Sequence, residues 1–285
     1  MSVFDAGFAV VQEAVAGGRI PGAVLGLLDG GRVTVRAVGQ AVVEPSLVAM
    51  RDETVFDLAS LTKVIFTTTA ILRLVEAGRI GLDDPLCVAI PDLRQYDVAG
   101  AAERRLNFRQ CLAHRTHLPA VEPLYTYGQD SQTLRAFILQ REWVAGPAVY
   151  SDINFLLLGI AIERLSGVTL TEQALGAGFS FRPDPEACAA TERCSWRGRV
   201  MRGEVHDENA FAMGGAAGHA GLFGSAAAVL GFARELIEGV LASMKSSPMR
   251  VNSIPKWTTI VLSDILFNDS MVRLEVNSGI GNIIG

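Results

Sequence analysis

Two runs, Ala23-Val24-Leu25-Gly26-Leu27-Leu28 and Val33-Thr34-Val35-Arg36-Ala37-Val38, flank Asp29-Gly30-Gly31. Such runs joined by a glycine pair form a β-hairpin, because glycine supplies the positive φ that a tight turn demands. A lone hairpin is marginal in water, so it has to pair with further strands or bury a face against helices. The flanking sequence offers helices. Phe4, Phe8, Val11 and Val15 recur in steps of four and three, which makes one helix face, and Gly17-Gly18 ends the run.

After Ser60, residues 61–76 form an apolar, threonine-rich helical run closed by Gly78. Residues 106–113, 132–140 and 155–165 also read as helices among prolines and glycines, and Gly167 closes the last. A glycine-rich entry over 214–224 leads into a helix over 226–241. The expected fold class is α/β (α+β): an antiparallel sheet flanked by helices, with a mainly helical subdomain over roughly 80–205. At 285 residues, 49% hydrophobic and 19% charged, the chain can bury a sizeable core.

The net charge of −5 is mild, and no basic stripe opposes a phosphate backbone, so nucleic acid is not an expected partner. Met1-Ser2-Val3-Phe4-Asp5 has no positive segment ahead of an apolar run and does not read as a signal peptide. No stretch reaches the roughly 18 uninterrupted apolar residues of a membrane span. Cys87, Cys111, Cys188 and Cys194 lack zinc-ligand spacing. Cys188 and Cys194 can pair across a loop, but reduced thiols and a cytoplasmic location are the expectation.

Composition changes near residue 243. Residues 1–242 hold 36 alanines and residues 243–285 none. The first segment has 20 arginines and one lysine, Lys63, whereas the short tail has Lys245 and Lys256. The expected division is therefore a body over 1–242 and a tail of different character over 243–285.

The chemistry concentrates in Phe56-Asp57-Leu58-Ala59-Ser60-Leu61-Thr62-Lys63. Ser60 stands where a helix begins, near free backbone N–H groups and the positive end of the dipole. Lys63 lies one turn along the same face. Serine needs a base to become a nucleophile, and a lysine can serve where an arginine cannot, since arginine does not usefully deprotonate. The body uses arginine as its cation everywhere else, which sets Lys63 apart from a solvated surface residue following a capping serine. A second group, Tyr150-Ser151-Asp152, precedes the apolar run Phe155-Leu156-Leu157-Leu158-Gly159. A phenol there can pass a proton between the serine and a leaving group. Asp152 can orient the lysine or a substrate amide, or, with Ser151, simply cap the helix.

Ser60-Leu61-Thr62-Lys63 followed by Tyr150-Ser151-Asp152 resembles the serine β-lactamase and penicillin-binding-protein superfamily, whose signature includes Ser-x-x-Lys. The likeness is greatest to class C-type β-lactamases and to the esterases and D-amino-acid peptidases related to them. Leu82-Asp83-Asp84-Pro85-Leu86 and Leu112-Ala113-His114-Arg115-Thr116-His117-Leu118-Pro119 are similar to segments of those relatives. So are Val205-His206-Asp207-Glu208-Asn209-Ala210 and Gly218-His219-Ala220-Gly221-Leu222-Phe223. The resemblance covers roughly residues 5–242. It implies a β-lactamase/transpeptidase-like fold with Ser60 as nucleophile, Lys63 as its base and Tyr150 as proton shuttle. Asp152, His219 and Gly221 are the expected substrate-binding residues, and half of an oxyanion hole comes from the Ser60 N–H. No cofactor or metal is implied.

Relatives also carry Lys-Thr-Gly or His-Thr-Gly on a strand beside the cleft. His219-Ala220-Gly221 fits that pattern only loosely, and residues 243–285 hold no better match, although 257–262 and 271–276 are strand-like. The sheet is thus expected to be incomplete at its C-terminal end. His206, Asp207 and Glu208 are all metal-binding types, yet without obvious further ligands they read as a polar loop. The glycines of residues 279–285 imitate a nucleotide loop with no helix to follow. The expected function is hydrolysis of an ester, a β-lactam or a small amide through an acyl-enzyme on Ser60. The alternative is a catalytically impaired or truncated member acting as a binding or interaction protein.

Overall fold

A computed structural model describes residues 1–128 and 130–246. The chain begins α1 (Val3–Ala16), β1 (Gly22–Asp29), β2 (Arg32–Val42), β3 (Val48–Ala49) and β4 (Val55–Asp57). A helical segment then takes π-helical turns over Lys63–Thr68 and continues as α2 (Thr69–Glu76). Next come α3 (Phe108–Leu112), α4 (Ser131–Gln140), α5 (Asp152–Ser166), β5 (Phe179–Ser180), β6 (Ala190–Cys194) and β7 (Arg199–Arg202). The described chain closes with α6 (Glu208–Ala212), β8 (Phe223–Ser225) and α7 (Ala226–Ser246). These elements form two compact units, one from residues 1–54 and 225 onward, the other from residues 55–224.

In the first unit β1 and β2 pair antiparallel from Gly22↔Gly39 to Asp29↔Arg32, and β3 joins the outer edge of β2 past a bulge between Gln40 and Val42. Gly39 is required there: its φ is +82°, and a Cβ would stand 2.4 Å from the Pro21 carbonyl oxygen. Helix α1 starts with a reciprocal Ser2–Asp5 cap and buries Phe4 and Phe8. The Arg36 guanidinium of β2 lies over both rings, 5.1 and 4.9 Å from their centroids. Gly7 of α1 comes against Leu25, whereas Leu230 of α7 fills the space that a Cβ on Gly26 would take. Strand neighbours point to opposite faces, so the hairpin is covered on both.

In the second unit the short strands β4, β8 and β5 form a sheet in that order, with β8 and β5 antiparallel, and β6 and β7 form a separate hairpin. Helix α5 is buried without a break from Ile153 to Ile162, as befits a helix apolar all round at the centre of a core. The glycine-rich loop crosses it at touching distance. A Cβ on Gly218 would lie 1.9 Å from the Phe155 carbonyl oxygen, and one on Gly159 would lie 2.8 Å from the Gly218 nitrogen.

The expected helices are present, with shifted ends. Helix α3 is shorter than residues 106–113 because Asn107 caps it with Gln110 in reply. Helix α5 starts at Asp152 rather than 155, and Gly167 closes it in the left-handed conformation. The four cysteines are free. No described helix is long and apolar enough to cross a membrane. Helix α7 runs past the change in composition to Ser246, and the strand-like runs at 257–262 and 271–276 lie outside the described residues.

Candidate active site

Ser60 follows a strained turn. Ala59 has a φ of +45°, a left-handed conformation that costs a residue bearing a Cβ about 1–2 kcal/mol. Asp57 holds it there: its Oδ1 accepts the Ala59 N–H at 2.8 Å and its Oδ2 the His206 N–H at 2.8 Å. Burial raises the Asp57 carboxyl above its ordinary range, while those backbone donors pull it back. Among the described residues the Ser60 N–H donates to nothing, so it is available to an incoming oxygen.

The regular helix expected over 61–76 is replaced at Lys63–Thr68 by π-helical turns, a feature that gathers at functional sites. Threonines support the widened turns. Thr68 donates its hydroxyl to the Lys63 carbonyl at 2.7 Å, and Thr69 donates to that of Val64 at 3.3 Å. Two more tie the segment to the glycine loop. Thr67 Oγ1 donates to the Gly218 carbonyl at 2.6 Å, and Thr62 Oγ1 accepts the Leu222 N–H at 3.1 Å.

This frame places Lys63 inside the protein, 1% exposed. Its Nζ donates to Ser60 Oγ at 2.9 Å and to the His219 carbonyl at 3.3 Å, and lies 2.8 Å from Asp152 Oδ1. The Tyr150 ring centroid is 4.8 Å from that nitrogen and the Phe155 centroid 5.8 Å. Ser60, Lys63, Tyr150 and Asp152 are therefore brought together. Tyr150 joins through its ring face, and its hydroxyl has no hydrogen-bond partner among the described residues. Asp152 faces Lys63 directly.

Two histidines complete the surroundings, and neither role was legible in the sequence. His114 stacks on Tyr150, with centroids 4.3 Å apart, and its Nδ1 accepts the Ser151 N–H at 2.9 Å. Burial, reinforced by the Lys63 charge, lowers its pKa to about 4, so the ring is neutral at pH 7. Its Nε2 is buried without a partner among the described residues. The signal available in the sequence was the similarity of segment 112–119 to relatives, with no indication that His114 packs on Tyr150.

His219 and Gly221, expected to meet substrate, are both buried. The His219 ring is 1% exposed and its Nε2 lies 2.9 Å from Asp207 Oδ1, while Gly221 is buried with a φ of +114°. His219 reaches the Lys63 cluster only through its carbonyl. Burial alone would raise Asp207, but the neighbouring His219, its hydrogen bond and the Ala210 N–H hold the carboxyl well below the usual range. His206, Asp207 and Glu208 do not converge as metal ligands: Asp207 caps α6 and binds His219. Among the described residues, the group of metal-ligating types within reach of one another is Glu192, Cys194 and Glu208, whose ligand atoms lie within 4.8 Å.

A buried ammonium on a serine hydroxyl, beside a carboxylate and a phenol, suits proton transfer to and from that serine. A family model described as Beta-lactamase matches residues 8–259. N-acetylmuramyl-L-alanine amidase of Bacillus subtilis is 30% identical over 76% of this chain, which spans 59% of that relative's length. Among solved structures, a class C beta lactamase from Rhodobacter sphaeroides superposes with a TM-score of 0.64 at 20% identity, over 90% of this chain and 69% of the other. An octameric penicillin-binding protein homologue from Pyrococcus abyssi superposes with a TM-score of 0.63 at 23% identity, over 84% and 57%. The fold is β-lactamase/transpeptidase-like.

Proposed function

We propose, from the premise that this chain belongs to the Beta-lactamase family, that it is a serine hydrolase forming an acyl-enzyme on Ser60. The observation that carries this reading is the buried Lys63 Nζ, 2.9 Å from Ser60 Oγ, in a body that has no other lysine. The substrate class is an ester, a β-lactam or a small amide; the amidase name of the Bacillus relative supports the amide among these.

Ser60 Oγ attacks the acyl carbon as its proton leaves toward Lys63 and Tyr150. The oxyanion that forms takes the free Ser60 N–H, and the leaving group departs with a proton from the same cluster. Water then repeats the attack and releases the acid. Tyr150 is 42% exposed, the most accessible member of the cluster, so substrate selection is assigned to the surface around it.

The test is a panel of an aryl ester, a penicillin and a D-alanyl dipeptide amide, each followed by intact mass. A mass increase equal to the acyl group, with turnover of one member, supports the reading; no adduct and no turnover with any of them contradicts it.

A further inference from the structure

Resting on the proposed acyl-enzyme reading, we propose that Asp57 is a positioning residue for Ser60, holding the Ser60 N–H where an oxyanion forms. The φ of +45° at Ala59 is unfavourable for a residue with a Cβ. Relaxing it would swing the Ala59–Ser60 peptide, and the Ser60 N–H with it. Both sides of Ala59 are tied. Its carbonyl accepts the Thr62 N–H at 3.1 Å and the Thr62 hydroxyl at 2.7 Å. Its N–H has one acceptor among the described residues, Asp57 Oδ1 at 2.8 Å.

The other oxygen of Asp57 joins this turn to the loop ahead of α6, accepting the His206 N–H at 2.8 Å. The carbonyl of that same peptide, on Val205, accepts from Arg197 Nη1 at 2.7 Å, and the His206 carbonyl accepts from Nη2 at 2.9 Å. The Arg197 side chain is 4% exposed and packs against the Trp196 and Phe211 rings. A guanidinium on the oxygen and a carboxylate on the N–H polarise one peptide from both ends, which strengthens both bonds. The next residue, Asp207, binds His219, whose carbonyl accepts from Lys63. One short loop therefore steadies the serine through Asp57 and the lysine through His219. The titratable groups facing Asp57 are His206 and Asp207 on this loop and Cys188 ahead of β6. Among the described residues none of them reaches its carboxylate with a side-chain hydrogen bond, so its two oxygens serve the two backbone donors.

Asp57→Asn keeps the shape and puts an amide NH₂ where one N–H had its acceptor. The limiting rate of Ser60 labelling by a fluorophosphonate should fall by roughly 10², the cost of a small misplacement at a reacting centre. The half-saturating probe concentration should stay near its wild-type value. Adding Ala59→Gly should recover part of the lost rate, since glycine adopts a positive φ without a clamp. An unchanged limiting rate in Asp57→Asn, or a loss that Ala59→Gly leaves untouched, overturns the inference. A second arm needs neither labelling nor a change at Asp57, and it decides if Asp57→Asn does not fold. In nitrogen–proton NMR of the wild type, the Ala59, His206 and Ser60 amide signals should shift with one common midpoint as Asp57 is protonated in acid. A Ser60 amide that does not follow the other two, or Ala59 and His206 amides with separate midpoints, overturns the inference. If the wild type is not labelled at all, the acyl-enzyme reading fails, and the amide signals still decide on Asp57.

Discussion

The hairpin of β1 and β2 and the segment from Asp57 to Thr69 both begin from a turn, yet they obey local rules to different degrees. In the hairpin every feature agrees. The β-favouring runs pair in one uninterrupted register, and Gly30 and Gly31 occupy the positive-φ turn with open space around them. In the Ser60 segment local preference is overridden three times. An alanine sits at positive φ, a helix opens into π turns, and a lysine is buried. Agreement across levels builds scaffold, whereas concentrated exceptions mark the place where tertiary contacts hold a geometry for chemistry.

The comparison is broken most severely by changing the buried charge. Lys63→Arg keeps a cation but removes a side chain that can usefully deprotonate, so Ser60 labelling should drop by about 10²–10⁴. Acylation at a near-normal rate would mean that Lys63 acts only as a positive charge. Next in size is Gly218→Ala, whose methyl has no room against the Phe155 carbonyl. Overpacking of this kind costs about 1–3 kcal/mol or more, read as a lower urea midpoint with an unchanged slope. A wild-type midpoint would show that the glycine loop is not pressed onto α5.

Acid should sharpen the contrast, because the Ser60 surroundings contain a histidine buried neutral. His114 has a folded-state pKa of about 4 against an ordinary value of about 6.5. Its stabilising contribution is complete above pH 6.5 and is lost as pH falls toward 4. There the wild-type stability should slope by up to about 1.4 kcal/mol per pH unit from this group. His114→Asn, which tolerates the local φ of +53°, should flatten that slope in pH-dependent urea unfolding. An equal slope in both proteins would remove His114 as its source.

The smallest effects come from the two turns themselves, with opposite signs. Gly30→Ala in the hairpin places a Cβ at a φ of +53° and should destabilise by about 1 kcal/mol. Ala59→Gly relieves the same strain before Ser60 and should be neutral or stabilising by up to about 1 kcal/mol, offset in part by chain entropy. Thermal unfolding of both variants measures the difference, and matching signs would erase the distinction between scaffold and site.

The same distinction explains what could be read without a structure. The hairpin, the helices closed by Gly78 and Gly167, and the one-turn spacing of Ser60 and Lys63 follow from local chemistry, which sequence records. The π turns depend on Thr67 and Thr62 finding the glycine loop more than 150 residues away, and nothing in a 3.6-residue period announces that. His219 illustrates the limit. Its motif marked the segment, but only the fold reveals that its ring serves Asp207 and its carbonyl serves Lys63.

The account rests on Ser60 as the acylated atom, and locating an adduct tests it most directly. Wild-type protein treated with a fluorophosphonate, digested and mapped by mass spectrometry should carry one label, on the peptide containing Ser60. Ser60→Ala should carry none while unfolding at the wild-type temperature, as loss of a nucleophile costs about 10⁶ in rate in a serine hydrolase. A label on any other residue of wild type, or one that persists in Ser60→Ala, would contradict the account.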